Sequence, residues 1–506
     1  MLPVLYALAT AVMTVYGANL LWLAVTFARH DRLREGPVPP VDGVPPLTGP
    51  TPVVTVQLPL YNEPLVAERL IDACASLDYP KSHLEIQVLD DSTDDTTGIV
   101  TRRVDFWRQR GVDIVLIHRA DRAGYKAGAL KNGLRLARGE FIAIFDADFL
   151  PHPDFLVRLL PSFGAGPQDI GPEDIGPKKI GMVQARWGHL NADESLLTRI
   201  QAFGLDAHFA LEQFARNRAG YFMNFNGTAG IWRRACIEDG GDWESDTLAE
   251  DLDLSYRAQL KGWRFLFVED VEVPAELPTE IDALRTQQFR WTKGAAEASR
   301  KLLGRLWRSS ERVGVKVEGT FQLTAHFVFP CILTAALLHA PLLLLSHLGY
   351  DGPGPIYFAF LGFGLIGFAG FFLAQLYAQR ALYPDWPRRA AFFPLFMAGS
   401  IGLAINNTRA LAQGLSGRRT EFVRTPKGGV GADPSPRMSI WRVAEAALAV
   451  YSLAGLGAIA AYGEWAAVPF QSMFALGFGL VAVYNLRAKQ RTRRPSIAPL
   501  GAAVHK

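Results

Sequence analysis

The sequence predicts an α/β domain inserted between membrane-spanning helices, and two patterns carry that prediction. Between residues 50 and 186, apolar β-branched runs alternate with helical stretches, the pattern of a mostly parallel sheet wrapped by helices. On either side, residues 3–27 and 320–486 hold long apolar runs. The chain as a whole carries only 20% charged residues, against about 25% in a soluble chain.

Strands are expected at 53–60, 84–89, 114–118 and 141–145, with helices near 65–77, 95–110 and 126–137. In such sheets, ligands bind beyond the carboxyl ends of the strands, where strand order reverses. Acidic residues fall at those ends: Glu63 after the first strand, Asp90 and Asp91 after the second, Asp146 and Asp148 after the fourth. Residues 166–180 repeat Gly-Pro-x-x-Ile three times. Gly and Pro punctuate every unit, so the stretch reads as a loop insertion without a part in the chemistry.

The first apolar run, in residues 1–28, lacks a basic n-region and a small-residue cleavage site, so it reads as a retained anchor. Arg29, Arg32 and Arg34 follow it, and the bias of Lys and Arg toward the inner face puts the domain at 50–310 in the cytoplasm. Further spans are expected at 320–348, 355–378, 440–462 and 466–486. The segment 389–414 is basic at both ends and interrupted by Asn406, Asn407 and Arg409. It reads as interfacial or re-entrant. That leaves the loop at 418–428 and the basic tail at 487–506 inside, and the protein in the inner (plasma) membrane.

A net charge of +3 is too small to argue for nucleic acid, and basic residues near spans account for it. Cys74, Cys236 and Cys331 stand far apart with no CxxC pair, so neither a disulfide framework nor a thiolate metal site is indicated. The scattered histidines have no zinc spacing. His326, His339 and His347 lie in or beside an apolar span, where they either line a channel or make structural hydrogen bonds. The sequence fixes no oligomeric state.

Three motifs carry chemistry. In Asp146-Ala147-Asp148, two carboxylates one residue apart at a strand end suit Mg²⁺ or Mn²⁺ shared with a diphosphate, although such a pair alone more often marks a turn. The run Asp246-Thr-Leu-Ala249-Glu250-Asp251-Leu-Asp253 precedes a helix expected at 252–260. Acids there complement the helix dipole, which accounts for Asp253 but not for the whole run. An inverting glycosyl transfer needs one carboxylate to take the acceptor hydroxyl's proton. In Gln287-Gln-Phe-Arg290-Trp291, a planar Arg can bind diphosphate oxygens and a Trp face can stack on a sugar ring. An interfacial amphipathic helix accounts for the same residues.

In that order, with Leu89-Asp90-Asp91-Ser92 ahead of them, these motifs resemble those of the processive family-2 glycosyltransferases, the cellulose synthase superfamily. The stretches Val183-Gln-Ala-Arg-Trp187, Asn226-Gly-Thr-Ala-Gly230, Lys261-Gly-Trp263 and Glu421-Phe-Val-Arg-Thr-Pro-Lys427 are most similar to the cellulose synthase-like A and C branch, which makes glucomannan and xyloglucan backbones. The resemblance covers about residues 50–430. It implies a GT-A-type (Rossmann-like) domain, with a nucleotide-sugar donor, UDP-glucose or GDP-mannose, and a saccharide acceptor.

By the same resemblance, Asp91 would contact the base, with Tyr61 and Glu63 lining that pocket, and Lys126 would approach the base or diphosphate. Asp146 would hold the donor and Asp148 the metal. Asp251 would be the catalytic base, with Glu250 beside the acceptor. Arg290 would bind the diphosphate, and Gln287 and Trp291 the acceptor's terminal sugar. Phe422, Thr425 and Lys427 would belong to a loop that covers the donor. Two departures stand out: Ala249 replaces the usual Thr before Glu-Asp, and the covering loop reads Arg-Thr-Pro-Lys. The alternatives are a single-transfer enzyme acting on diacylglycerol or a polyprenyl phosphate, and a catalytically dead nucleotide receptor. The latter predicts a broken acid set, and every expected acid is present.

Overall fold

The computed structural model describes residues 1–32, 51–164, 180–345, 347, 349, 362–418, 423–425 and 440–491. The Gly-Pro repeat up to residue 179, the basic tail beyond 491, and Phe422 and Lys427 of the covering loop lie outside them.

The domain is built on a seven-stranded sheet ordered β3-β2-β1-β4-β6-β5-β7. Its strands are β1 (Val54–Leu60), β2 (Leu84–Asp90), β3 (Ile114–His118), β4 (Phe141–Ile144), β5 (Ile180–His189), β6 (Gly230–Arg233) and β7 (Arg264–Ala275). β1 lies between β2 and β4, parallel to both, with Val54 opposite Leu84 and Phe141. β6 runs against both its neighbours, β4 and β5, so the parallel character read from the alternating pattern is broken there. Every residue of β2 and β4 is buried, as expected for parallel strands covered on both faces.

Buried polar side chains inside the sheet pair across it, although Gln57 Oε1 and Gln87 Nε2 find no partner among the described residues. Thr55 donates to Glu85 at 2.6 Å, and the Gln57 amide donates to Gln87 at 3.0 Å. Strand order reverses between β1 and β4. From β1 the chain moves outward to β2 and β3, then returns to β4 on the other flank. The acids at the ends of β1, β2 and β4 therefore converge on one crevice.

Among the described residues, five helices are long and apolar enough to cross a membrane: Leu2–His30, Val313–Leu344, Gly364–Leu382, Ile440–Ala461 and Trp465–Leu486. The chain is an integral membrane protein. A sixth apolar element, Trp386–Gly402 followed by Ala404–Leu415, bends by 49°. Its asparagines meet protein: Asn406 donates to the Arg285 carbonyl at 3.1 Å, and Asn407 is fully buried.

The first helix and helix Gly364–Leu382 touch backbone to backbone. A Cβ on Gly17 would fall 2.2 Å from the Gly367 carbonyl, and one on Gly370 would fall 2.0 Å from that of Gly17. Only glycine permits this approach, which gains dispersion contacts that lipid does not offer. Leu23, Ala24 and Phe27 of the first helix, with Ala374 and Ala378 of the second, join the same apolar core as Ile142, Ile144 and Trp232 of the sheet. The α/β domain is thereby welded to the membrane helices. His339 shares a 2.8 Å hydrogen bond with Tyr6 of the first helix, and His326 a 3.1 Å bond with Thr292.

Candidate active site

At the end of β1 the chain turns through Asn62, whose φ of 53° is a left-handed conformation that asparagine tolerates. The turn is stapled to the end of β2: Asn62 N–H donates to Ser92 Oγ at 2.8 Å, and Thr93 N–H donates to Asn62 Oδ1 at 2.8 Å. This presents Tyr61 and Glu63 to the crevice. The Arg122 guanidinium lies 3.3 Å from the Tyr61 ring centroid, and Arg424 donates to Glu63 at 2.7 Å.

The two neighbouring aspartates after β2 have separate tasks. Asp90 is fully buried and accepts from Ser92 N–H, Thr97 Oγ1 and His118 Nδ1. Burial pushes its carboxyl up, but those hydrogen bonds outweigh burial and hold it below the usual range. Asp91 instead lines the crevice, gripped at both oxygens by Arg119 at 2.7 and 2.5 Å. That bidentate grip fixes the carboxylate plane and leaves lone pairs for a ligand.

Lys126 opens helix Tyr125–Leu136 and reaches the far wall. Its Nζ donates to Asp146 Oδ1 at 2.6 Å and to the Gly227 carbonyl at 2.8 Å, and lies 4.0 Å from Glu250. Burial disfavours the ammonium, but Asp146 and Glu250 outweigh it, so its pKa is raised and the group stays charged. Gly227 sits at φ 81°, where a Cβ would come within 2.9 Å of Asp251 Oδ2 and 3.4 Å of Lys126 Nζ. Any larger residue there would push base and ammonium aside. The next residue, Thr228, accepts from Asp146 N–H at 2.9 Å.

Helix Glu250–Leu260 begins two residues earlier than expected, placing Glu250 and Asp251 in its first turn. Asp251 Oδ1 accepts from Leu252 N–H at 2.8 Å. Burial, then the adjacent negative Glu250, push the Asp251 carboxyl up to about 7, against the pull of Lys126. Burial likewise raises Glu250. Asp253 is structural, at 2.8 Å from Arg257 and 2.9 Å from Lys301. Glu244, Asp246 and Asp253 cluster as metal ligands do. However, the Lys301 ammonium sits among them at 2.5, 2.8 and 2.9 Å, so a cationic group already stands where their oxygens converge.

Gln287, Arg290 and Trp291 project from one face of helix Ile281–Arg308 into the same crevice, as spacings of three and four dictate. Burial lowers the pKa of Arg290 against the opposing pull of Asp146, Glu250, Asp148 and Asp251. This helix packs onto the acidic turn at Gly294, where a Cβ would meet Ala249 Cβ at 2.9 Å. Leu248 N–H donates to Glu297 at 2.8 Å. Ala249, the departure from the family pattern, therefore forms the contact that sets the spacing between Asp251 and Arg290.

Together these residues line one cavity of about 190 Å³. It contains Tyr61, Glu63, Asp91, Lys126, Asp146, Asp148, Glu250, Asp251, Gln287, Arg290, Trp291 and Thr425. Asp146 and Asp148 fit a hard divalent cation: both are carboxylates on the cavity wall, one residue apart at a strand end, and Lys126 takes one oxygen of Asp146. Arg119 and Arg122 were not singled out by the sequence; Arg424 entered only as part of the covering-loop stretch, without its partner Glu63, and His189 only as one of the scattered histidines. Arg122 carried one local signal, its place four residues before Lys126. His189 lines the cavity, donating through Nε2 to buried Asp206 at 3.1 Å, which also accepts from Gln379 of a membrane helix at 3.0 Å.

Residues 50–294 match the family described as glycosyltransferase like family 2. The chain is 40% identical over 325 residues to glucomannan 4-beta-mannosyltransferase 1 of Oryza sativa subsp. japonica, covering 61% of this chain and 60% of that one. It is 42% identical over 262 residues to glucomannan 4-beta-mannosyltransferase 7 of Arabidopsis thaliana, covering 51% and 45%. With glucomannan 4-beta-mannosyltransferase 2 of Arabidopsis thaliana it is 44% identical over 264 residues, covering 51% and 47%. The chain spans about half the length of these curated relatives. Among solved structures, mannosyltransferase PcManGT from Pyrobaculum calidifontis, in complex with GDP-Man and Mn²⁺, superposes with a TM-score of 0.52. It is 21% identical, and the match covers 83% of this chain and 100% of that one, a likeness of fold. With residues 50–294 matched from the first strand to the helix bearing Trp291, and plant relatives 40–44% identical, this domain of the chain belongs to the family-2 glycosyltransferases.

Proposed function

We propose that this protein is a membrane-embedded inverting hexosyltransferase. It moves a sugar from a nucleotide-sugar donor, at the cytoplasmic face, onto the end of a growing β-linked polysaccharide. The observation that carries the reading is the convergence of four sequence-distant motifs on one cavity, with Asp251 half-buried beside Lys126 and Arg290. The relatives' names favour a mannosyl donor, and GDP-mannose is the first to test, with UDP-glucose beside it. The segment 389–414 would lie at the interface, leaving the anchor at 1–28 and the spans within 320–486 to hold the domain to the bilayer.

In this reading Tyr61, Glu63, Asp91 and Arg122 receive the nucleotide. Asp146 and Asp148 hold Mg²⁺ or Mn²⁺, which neutralises charge on the leaving diphosphate when bound. Asp251 takes the proton from the acceptor hydroxyl as that oxygen bonds to the anomeric carbon and the carbon–diphosphate bond breaks. Lys126 and Arg290 receive the developing negative charge from fixed positions, which costs no reorganisation at the moment of transfer. Glu250, Gln287 and Trp291 orient the acceptor. Thr425, with Phe422 and Lys427, would cover the donor.

Purified protein incubated with radiolabelled GDP-mannose or UDP-glucose and a divalent cation is expected to give polymer. Short glycolipids alone would replace this reading with single transfer to a lipid, and no transfer from any nucleotide sugar would remove both. Trp291→Ala is expected to slow elongation about tenfold, the value of one lost ring contact, while donor hydrolysis changes less. An equal loss of both would make Trp291 a packing residue.

A further inference from the structure

Helix Ile281–Arg308 has a second face. Gln287, Arg290 and Trp291 face the catalytic cavity, but Phe289 meets Arg409 of helix Ala404–Leu415, whose guanidinium lies 4.9 Å from the Phe289 centroid and 5.2 Å from that of Trp441. A separate cavity of about 430 Å³ opens here, lined by Leu333, Thr408, Arg409, Gln413, Arg418 and Trp441 among others. Arg285 and Arg442 nearby are each ion-paired, with Glu445 and Asp282 at 2.5 and 2.7 Å. Among the described residues, Arg409 and Arg418 have no carboxylate partner. The buried Thr408 hydroxyl has no hydrogen-bond partner among the described residues either.

We propose that this cavity binds the phosphate headgroup of an anionic phospholipid. Two guanidinium groups without a carboxylate partner among the described residues, and a hydroxyl, supply donors for phosphate oxygens. The two aromatic rings hold Arg409 in place without neutralising it. A neutral glycan needs no such charge. The cavity also has an apolar side, Leu333 and Ile405, and Leu333 belongs to the span Val313–Leu344. Trp441, 42% exposed, stands in the first turn of the span Ile440–Ala461, at the level where tryptophan marks the headgroup region. Basic pockets between spans on the cytoplasmic side select anionic headgroups. A soluble phosphate would use the donors and leave the apolar side unfilled. The site is independent of the catalytic reading, because it needs only a membrane-embedded chain.

The test is lipid retention by the purified full chain. Detergent-solubilised protein is equilibrated with dioleoyl phosphatidylglycerol or dioleoyl phosphatidylcholine, and bound lipid is counted by native mass spectrometry. Phosphatidylglycerol is expected to bind selectively. Arg409→Gln and Arg418→Gln should each weaken it about fivefold, and the pair about twenty-five-fold, with nucleotide-diphosphate binding unchanged. Arg418 is exposed, so its single variant carries the test if the double variant does not fold. Arg409→Lys, which keeps the charge, should retain most binding. Equal retention of the two lipids, or unchanged retention by Arg418→Gln, would overturn the site. Displacement of phosphatidylglycerol by millimolar inorganic phosphate would make it a soluble-anion site and overturn the lipid assignment.

Discussion

Asp251→Asn is expected to lower turnover by about 10²–10⁴-fold, the usual contribution of a positioned base, while donor binding survives. The amide matches the carboxylate in shape, still accepts from Leu252 N–H, and leaves Lys126 on Asp146 and Gly227. What it loses is the capacity to take a proton. The measurement is initial transfer rate beside calorimetric affinity for the nucleotide diphosphate; retained turnover removes Asp251 as base.

The same carboxyl predicts a pH dependence. Burial and Glu250 push Asp251 up to about 7, and only its deprotonated form can act, so the rate should rise with pH through that region. Glu250→Gln removes a like charge from beside it, which favours the ionised form. The acid limb should therefore move to lower pH, whatever the variant does to the maximal rate. An unmoved limb would assign the titration to another group.

The parts of this site that were legible in the sequence share one property: their meaning is local. An acid at a strand end is visible wherever the strand is visible, so Glu63, Asp91, Asp146 and Asp148 could be placed from alternation alone. Gln287, Arg290 and Trp291 were assigned together through the resemblance of their motif, and their spacings of three and four place them on one helix face in any fold. Partners that meet only in the folded chain were not legible. Arg424 joins Glu63 across 361 positions, and Gln379 reaches Asp206 across 173. Ala249 looked like a loosened motif, yet its small side chain is what Gly294 packs on. For His339, hydropathy left a channel or a hydrogen bond equally open, and only the packed first helix supplies Tyr6. The antiparallel β6 was missed for a related reason: it is a four-residue strand whose direction is set by its neighbours.

Asp148→Ala is expected to abolish metal-dependent donor binding and to reduce transfer by about 10³-fold or more, since a divalent cation supplies several kcal/mol of charge stabilisation. The two acids of the motif are not equivalent. Asp146 already gives one oxygen to Lys126 at 2.6 Å, so part of its charge is compensated before any ligand arrives. Asp148 lines the cavity and adds to the pull on Arg290. Removing it takes away one of the two hard oxygen ligands of the strand-end motif. Glu244, Asp246 and Asp253 do not compete for the cation, because Lys301 lies among them. The check is nucleotide-diphosphate affinity with and without Mn²⁺. Wild type should bind more tightly with the metal, whereas Asp148→Ala should bind equally in both conditions. The control is Asp246→Asn in the Lys301 clamp, which should keep the full metal effect. If instead Asp246→Asn loses it and Asp148→Ala keeps it, the cation belongs to the clamp and not to the strand end.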